Sequence, residues 1–511
     1  MRKGFWSFIL KGNFANKRIS TPYDYFCCLS TGLKQIVRST FFITAGGALP
    51  LLSSLVLLIP YTNNLSTANY GALAIYISFA LLVQILMNYA VDAYLSVHYY
   101  DYQENENKLK HFLSNVFGIL LSIGGVFILV ISFIGYLIFP IIFKENEISF
   151  FPYGLMSVVT AFFNAWFRTY VNIQVFGERP VKYFLFGLFN FLVTVVISIY
   201  LINLYPYTLI GPMWGRLLSG VFIFILTFSF GLKEFGLKFD YKLLPSIRAY
   251  ATPVLIFSLL TWVLAYINNY ILSGIMTVGD VGVYDFALKC TLGIEYAGLG
   301  IAGAFNPRIY KNWKSKGELL NGSQEENRYY HVFSAVNMLI ISTTIFIVPF
   351  LIRLFVNNEQ YYESLDFLPL LCAAFVFKSL HTIYLNPIMY FKRTNLLPMI
   401  LVITALVQII SGILLINLFG IWGAVWSYFL VKPIQVLLLR HKAKAFFNFS
   451  FNKLKIFWVP MSYVLGVIVL CSTNLSEFEI NTSQLVFAIL LILFAYKNEI
   501  KVLPSMFKKA P

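Results

Sequence analysis

Five basic residues lie where a chain of this composition should not carry them. Arg168, Arg216, Lys289, Lys378 and Lys432 each fall well inside a long apolar run, and so do three acids, Asp92, Asp285 and Glu295. A cation at the centre of a membrane-spanning helix costs about 2.5–3.5 kcal/mol on insertion scales. Arg168 and Lys432 can lower that cost by snorkelling. Asp285 and Lys289 stand four residues apart, one helix turn, and read as a local ion pair. Three acids cannot neutralise five cations, and a cavity with surplus positive charge at membrane depth calls for an anionic guest. Guanidinium and ammonium groups suit phosphate oxygens, Arg as a bidentate fork and Lys as a point charge. The competing reading is structural pairing and snorkelling with no guest. His381, one turn from Lys378, reads first as a packed polar histidine and second as a proton relay. Together with Asp92, Asp285 and Glu295 it is a candidate for ion coupling or gating by H+ or Na+.

The elements that must carry these residues follow from composition. Of 511 residues 59% are apolar and 12% charged, with a mean hydropathy of +0.74, against about 45–50% and about 25% in soluble domains. Fourteen apolar runs fall near 39–60, 70–96, 113–139, 150–175, 183–204, 208–231, 251–274, 281–305, 332–354, 364–388, 396–417, 419–438, 457–472 and 484–496. Without period-2 alternation they read as helices, so the expected fold class is an all-α polytopic membrane protein. The connections are too short for a separate soluble domain, which excludes a secreted protein, a soluble enzyme, a receptor ectodomain and a nucleotide-driven pump.

With both tails inside, 31 of the 38 basic residues fall on the inner side and only Lys144 and Arg353 on the outer. The net charge of +16 is therefore mostly topology, and nucleic acid is not an expected partner. Residues 1–38 hold seven basic residues and no long apolar core, so no cleavable signal peptide is expected. Cys27, Cys28, Cys290, Cys372 and Cys471 show no metal or redox spacing. GLGIAG, Gly298 to Gly303, fits a dinucleotide fingerprint but lies in an apolar run with no preceding strand, so close packing through small residues is expected instead. Tyrosine pairs at 99–100, 329–330 and 361–362 suggest an aromatic belt. There is no P-loop, HExxH or nucleophile elbow, and no metal or other cofactor is expected.

The chain is internally repetitive. LSTANYGALAIY (65–76) matches MTVGDVGVYDFA (276–287) at an offset of 211, and LINL at 201–204 recurs at 415–418. Six helices separate the equivalents, so the halves share orientation, an arrangement in which two bundles enclose a midplane site. The expected units are a basic segment 1–38, a six-helix lobe 39–231, a linker 232–250, a second six-helix lobe 251–438, and residues 439–511 with two extra helices. Arg168 and Lys378 differ by 210 and Arg216 and Lys432 by 216. Both lobes are thus expected to turn a cation from their fourth and sixth spans toward one shared cavity.

AGGALPLL (45–52), LSTANYGALAIYISFA and VDAYLSVHYYD, followed by FDYKLLPSIRAYATPVL (239–255), DVGVYDFALK (280–289) and NPRIYKNW (306–313), occur in the order seen in bacterial O-antigen and polysaccharide flippases. Over roughly residues 38–440 the chain resembles that family, part of the multidrug/oligosaccharidyl-lipid/polysaccharide exporter superfamily. The resemblance implies two rocking lobes that move an isoprenoid-pyrophosphate-linked oligosaccharide from the inner to the outer leaflet of the bacterial inner membrane. It also brings in a polysaccharide polymerase and chain-length proteins as partners. The chain departs from the family pattern at His98, where Arg is frequent, and at Asn268-Asn269, where Asp-Arg is frequent. Drug/cation antiport and lipid II translocation remain open within the same superfamily. A membrane-embedded glycosyltransferase or polymerase is disfavoured by outer loops of about ten residues, since such enzymes need a sizeable outer loop to hold acceptor and catalytic acids.

Overall fold

The computed structural model describes residues 22–143, 148–315, 324–449, 451–473, 475–499 and 501. Residues 1–21, Lys144 and the basic tail at 502–511 lie outside that set. Sixteen α-helices carry the described chain. The first seven are α1 (Pro22–Asn64), α2 (Thr67–Asn88), α3 (Val91–Tyr102), α4 (Glu106–Ile142), α5 (Leu155–Phe176), α6 (Pro180–Leu204) and α7 (Ile210–Glu234). Then come α8 (Leu244–Ile275), α9 (Val278–Ser315), α10 (Gln324–Phe355), α11 (Ser364–Ala373), α12 (Phe377–Tyr390), α13 (Leu396–Phe419) and α14 (Ile421–Ala443), with α15 (Val459–Cys471) and α16 (Glu477–Ala495) last.

Thirteen spans among the described residues are long and apolar enough to cross a membrane. The fourteenth expected span, 281–305, is α9. At 38 residues it is about 57 Å long, ample to cross, but its polar residues keep it outside the apolar set. Its first turns, Val281 to Ala287, are buried by other helices, and along its length it packs against α2, α8, α10 and α11. Elsewhere the outward faces are apolar, with Leu129, Ile141, Leu418 and Phe494 all 71–88% exposed, as a lipid solvent requires.

Two expected spans are interrupted. The run at 70–96 breaks between α2 and α3, where Tyr89 and Ala90 take positive φ of 46° and 52°. Helix α3 restarts there with Asp92 in its first turn, accepting from the Ala93 amide at 3.0 Å, the end of a helix that favours an anion. The run at 364–388 is α11 and α12 joined by a single 3-10 turn at Ala374–Val376. The last span starts earlier than its apolar run. Ser476 and Glu479 form a capping box that begins α16 at Glu477, giving a crossing length of 19 residues.

One end of the bundle is closed by bonds between the two halves. Asn63 donates to the Phe355 carbonyl at 2.9 Å and accepts from the Asn357 amide at 2.8 Å, and Asn358 donates to the Leu65 carbonyl at 3.3 Å. Below these, α2 and α9 touch backbone to backbone. A Cβ on Gly71 would lie 1.9 Å from the Val278 carbonyl oxygen, and one on Gly282 would lie 2.1 Å from that of Thr67. Gly71 and Gly282 differ by 211, the offset of the matching sequence stretches. No side chain fits at either place. Tyr361, expected in an aromatic belt, is fully buried in this closure and its hydroxyl reaches the Leu65 carbonyl at 3.4 Å.

Helix α8 is shared between the halves. Near its start Ser246 and Thr252 bond to Tyr94 and Tyr89, at 3.1 and 3.0 Å. Near its end Asn268 donates to the Ala424 carbonyl at 3.0 Å and accepts from Gln408 at 2.9 Å.

Candidate functional site

A cavity of about 620 Å³ lies beneath the closed end, walled chiefly by α2, α8, α9, α12, α13 and α14. It brings together Lys289, Lys378, Lys432, Asp285, Glu295 and His381. Helix periodicity explains the wall on α9: Asp285, Lys289 and Glu295 share one face, together with Leu288 and Leu292. Across the cavity Lys378 comes from α12 and Lys432 from α14, each close to the middle of its span.

The three ammonium groups are held differently. Lys289 pairs with Asp285 at 2.6 Å, as the spacing suggested, and also donates to the Tyr70 hydroxyl of α2 at 2.9 Å. Lys378 has a loose partner, Glu295 at 3.6 Å, and that carboxylate is 43% exposed. Lys432 has no ion pair among the described residues, and its ammonium stands 4.4 Å from the centroid of the Tyr428 ring. Such a contact is worth about 0.5–2 kcal/mol, less than the cost of holding the charge at that depth. Three cations against two acids leave the cavity with surplus positive charge.

Arg216 borders this cavity without entering it. It lines an adjoining pocket of about 40 Å³ with Gln84, Thr160 and Asn164, and Ile77 and Leu81 form a wall common to both spaces. Its buried Nε has no hydrogen-bond partner.

Arg168 is elsewhere. It lines a separate pocket of about 390 Å³ with Asn88, Asp92, Ser96 and Asn172, and its Nε lies 2.9 Å from Asp92. The left-handed break at Tyr89 and Ala90 presents Asp92 to α5 at this point. The expectation that Arg168 and Lys378 face one shared cavity is therefore corrected: their spacing reflects the repeat, but their side chains enter different spaces.

Other expectations resolve in physical terms. Asn268 sits among neutral partners, whereas Asn269 leans on a carboxylate. Asn268 bonds with Tyr284, Gln408 and Ala424, and Asn269 donates to Asp285 at 3.2 Å. The GLGIAG run is helical, as expected, but it does not serve close packing. A Cβ at Gly300 or Gly303 would meet nothing within 4 Å, and Gly298 leaves room for the stem of Lys378 at 3.4 Å. Cys290, Cys372 and Cys471 are free thiols. Among the described residues no group of three or more His, Cys, Asp or Glu could hold a metal ion. Sequence reasoning missed Tyr70, Tyr428 and Gln435. Tyr70 carried a signal, since it sits inside the repeated stretch beside Gly71.

Residues 36–313 match the family described as polysaccharide biosynthesis protein. No curated protein matches the sequence. Among solved structures the chain is similar to the lipid II flippase MurJ in an inward closed conformation, at 15% identity and a TM-score of 0.67, over 91% of this chain and 99% of that one. It is also similar to an inward-facing multidrug resistance transporter of the MATE family, at 14% identity and a TM-score of 0.63, over 77% of this chain and 95% of the other. At these identities the likeness is one of fold.

Proposed function

The chain belongs to the polysaccharide biosynthesis protein family, a multi-pass membrane protein with the fold of flippases and transporters, and we propose that it is a flippase for an isoprenoid-pyrophosphate-linked oligosaccharide. The cargo is the repeat unit of O-antigen, another lipopolysaccharide component or a related surface polysaccharide. The observation that carries this reading is a cavity in which three lysines face two acids, under a sealed roof. The diphosphate binds Lys432 and Lys378 first, because these lack a close acid, and Lys289 forms the roof of the same pocket. Arg216 adds long-range attraction from behind the Ile77–Leu81 wall. The polar headgroup is thereby held where hydrocarbon would reject it, and closing the open end while breaking the sealed one delivers it to the opposite leaflet.

The sealed end is the outer face by the charge bias, both termini are cytoplasmic, and the membrane is the bacterial inner membrane. The protein makes and breaks no covalent bond, and a polymerase and chain-length proteins act on its product. Coupling to H+ or Na+ runs through Asp92, Asp285, Glu295 or His381. Lipid II translocation is the second reading, because a lipid pyrophosphate headgroup presents the same charge to the same lysines. A cationic drug is disfavoured by the lysine excess.

Deleting the gene and measuring isoprenoid-linked lipids by mass spectrometry tests the proposal. One pyrophosphate-linked oligosaccharide should accumulate while a surface polysaccharide is lost. Accumulation of lipid II moves the assignment to the second reading, and an unchanged pool of both lipids removes it.

A further inference from the structure

Lys289 holds both halves of the chain at once. Its ammonium lies 2.6 Å from Asp285 on its own helix and donates at 2.9 Å to the Tyr70 hydroxyl on α2. Tyr70 is the neighbour of Gly71, and Lys289 follows Gly282 by seven residues, two turns along the same face of α9. The bond therefore lies directly beneath the backbone seal. Above it the Tyr70 ring packs edge-on against Tyr361 at 5.7 Å, and Tyr361 completes the closure. Lys289 also lines the cavity and keeps 21% of its side-chain surface, whereas Asp285 keeps 6%.

We infer that Lys289 couples occupancy of the cavity to the seal, with Tyr70 as the positioning residue that senses it. This rests on the anionic-headgroup reading above. A diphosphate is a stronger partner for an ammonium than a neutral hydroxyl, and the four-carbon stem of lysine lets the charge swing toward it. Drawn into the cavity, Lys289 releases Tyr70, and the seal loses a charge-assisted bond between α2 and α9. The ligand contacts Lys289 fully only in the released position, so it has the differential affinity that any ligand-driven shift needs. Loading then loosens the end through which the cargo must leave.

Hydrogen exchange of the full chain in lipid nanodiscs reads the seal. Apart from the Asn69 and Asp280 amides, which Ser66 and Thr277 cap, the first-turn amides of α2 and α9 have no acceptor within their own helix, so protection of segments 65–73 and 276–284 reports how tightly the ends press together. Farnesyl diphosphate is the probe, with its binding followed separately by calorimetry. In the parent protein the probe binds and speeds exchange of both segments. Tyr70→Phe keeps the ring packing but removes the bond. Its exchange without probe is about tenfold faster, the factor corresponding to about 1.4 kcal/mol, and the probe adds little. Lys289→Arg keeps the response; Lys289→Gln exchanges fast with or without probe. Slow exchange in Tyr70→Phe with an intact response to the probe overturns the inference. Normal binding with no effect on the seal of the parent overturns the inference alone, and failure of the parent to bind the probe overturns the headgroup reading with it.

Discussion

The two halves of the chain place a cation at corresponding positions of their fourth spans, Arg168 and Lys378, and then use it in opposite ways. In the first half Arg168 meets Asp92 at 2.9 Å in its own pocket, closing the charge into an ion pair. In the second half Lys378 has only a loose and half-exposed Glu295 at 3.6 Å, and Lys432 rests on a tyrosine ring. Repeat position therefore sets where a charge enters the membrane, and the local break or continuity of the neighbouring helix sets whether it stays free. In the first half α2 breaks at Tyr89 and delivers an acid. The matching stretch of the second half, α9, runs on unbroken and keeps its own acids on the face toward the cavity. The halves remain equal at their mutual contact, Gly71 against α9 and Gly282 against α2.

That equality sets the largest expected effect. Gly71→Val and Gly282→Val each drive a side chain into an opposing carbonyl that a Cβ would already approach to 1.9 and 2.1 Å. Overpacking of this kind costs typically about 1–3 kcal/mol and more when backbone must shift. Both variants should abolish export while the protein still reaches the membrane, and both should expose the sealed end to an impermeant label. If one abolishes export and the other does not, the halves are unequal at the seal as well.

The free charge should come next. Lys432→Met removes a cation without an acid partner, so insertion becomes easier by up to about 2.5–3.5 kcal/mol. Loss of one charge-assisted contact to the headgroup, worth about 1.5–3 kcal/mol, lowers export by roughly tenfold to a hundredfold. A variant that is at least as abundant as the parent and yet deficient in export is the expected outcome. Full export from normal amounts of Lys432→Met leaves Lys432 without a role in transport.

The contrast also marks how far the sequence could be read. Helix existence was legible because lipid demands long apolar runs, and thirteen of the described spans obey that demand. The charged set in the cavity was legible because a cation in such a run is costly and stands out, although structural pairing competed as its explanation and holds for Arg168. What was not legible was partnership. Nothing in the spacing tells that Asp92 sits at a helix restart, since the left-handed pair Tyr89 and Ala90 contains no glycine to announce it. Tyr70 and Tyr428 were hidden by their ordinariness in a chain with 33 tyrosines. The GLGIAG glycines were misjudged because small residues pack helices closely only when a partner is opposite, and beside Gly300 and Gly303 there is open space.

In the first half the expected effects are on stability. Arg168→Gln leaves the mostly buried Asp92 without its cation, but Arg168 is itself 56% exposed and the Ala93 amide still supports the carboxylate. The cost should be about 1 kcal/mol, read as a small fall in the thermal midpoint. Asp92→Asn added to Arg168→Gln should recover most of it and leave export near the parent level. Export lost in both the single and the double variant shows that Arg168 itself meets the cargo, and the halves then act alike.

The smallest effect tests the same contrast from the acid side. Glu295 is exposed enough that solvent screens its pull on Lys378, and a pair of that kind is worth about 0.2–1 kcal/mol. Glu295→Gln frees Lys378 completely, so the headgroup should bind about two- to fivefold more tightly, with release slowed by a similar factor. Calorimetry with farnesyl diphosphate separates this from a folding change, because the thermal midpoint should stay put. Asp92→Asn, by contrast, should leave the affinity for the same probe unaltered, since its partner Arg168 faces another pocket. Equal gains from the two acid variants show that one electrostatic field covers both pockets; a gain confined to Glu295 places the headgroup against the second-half lysines alone.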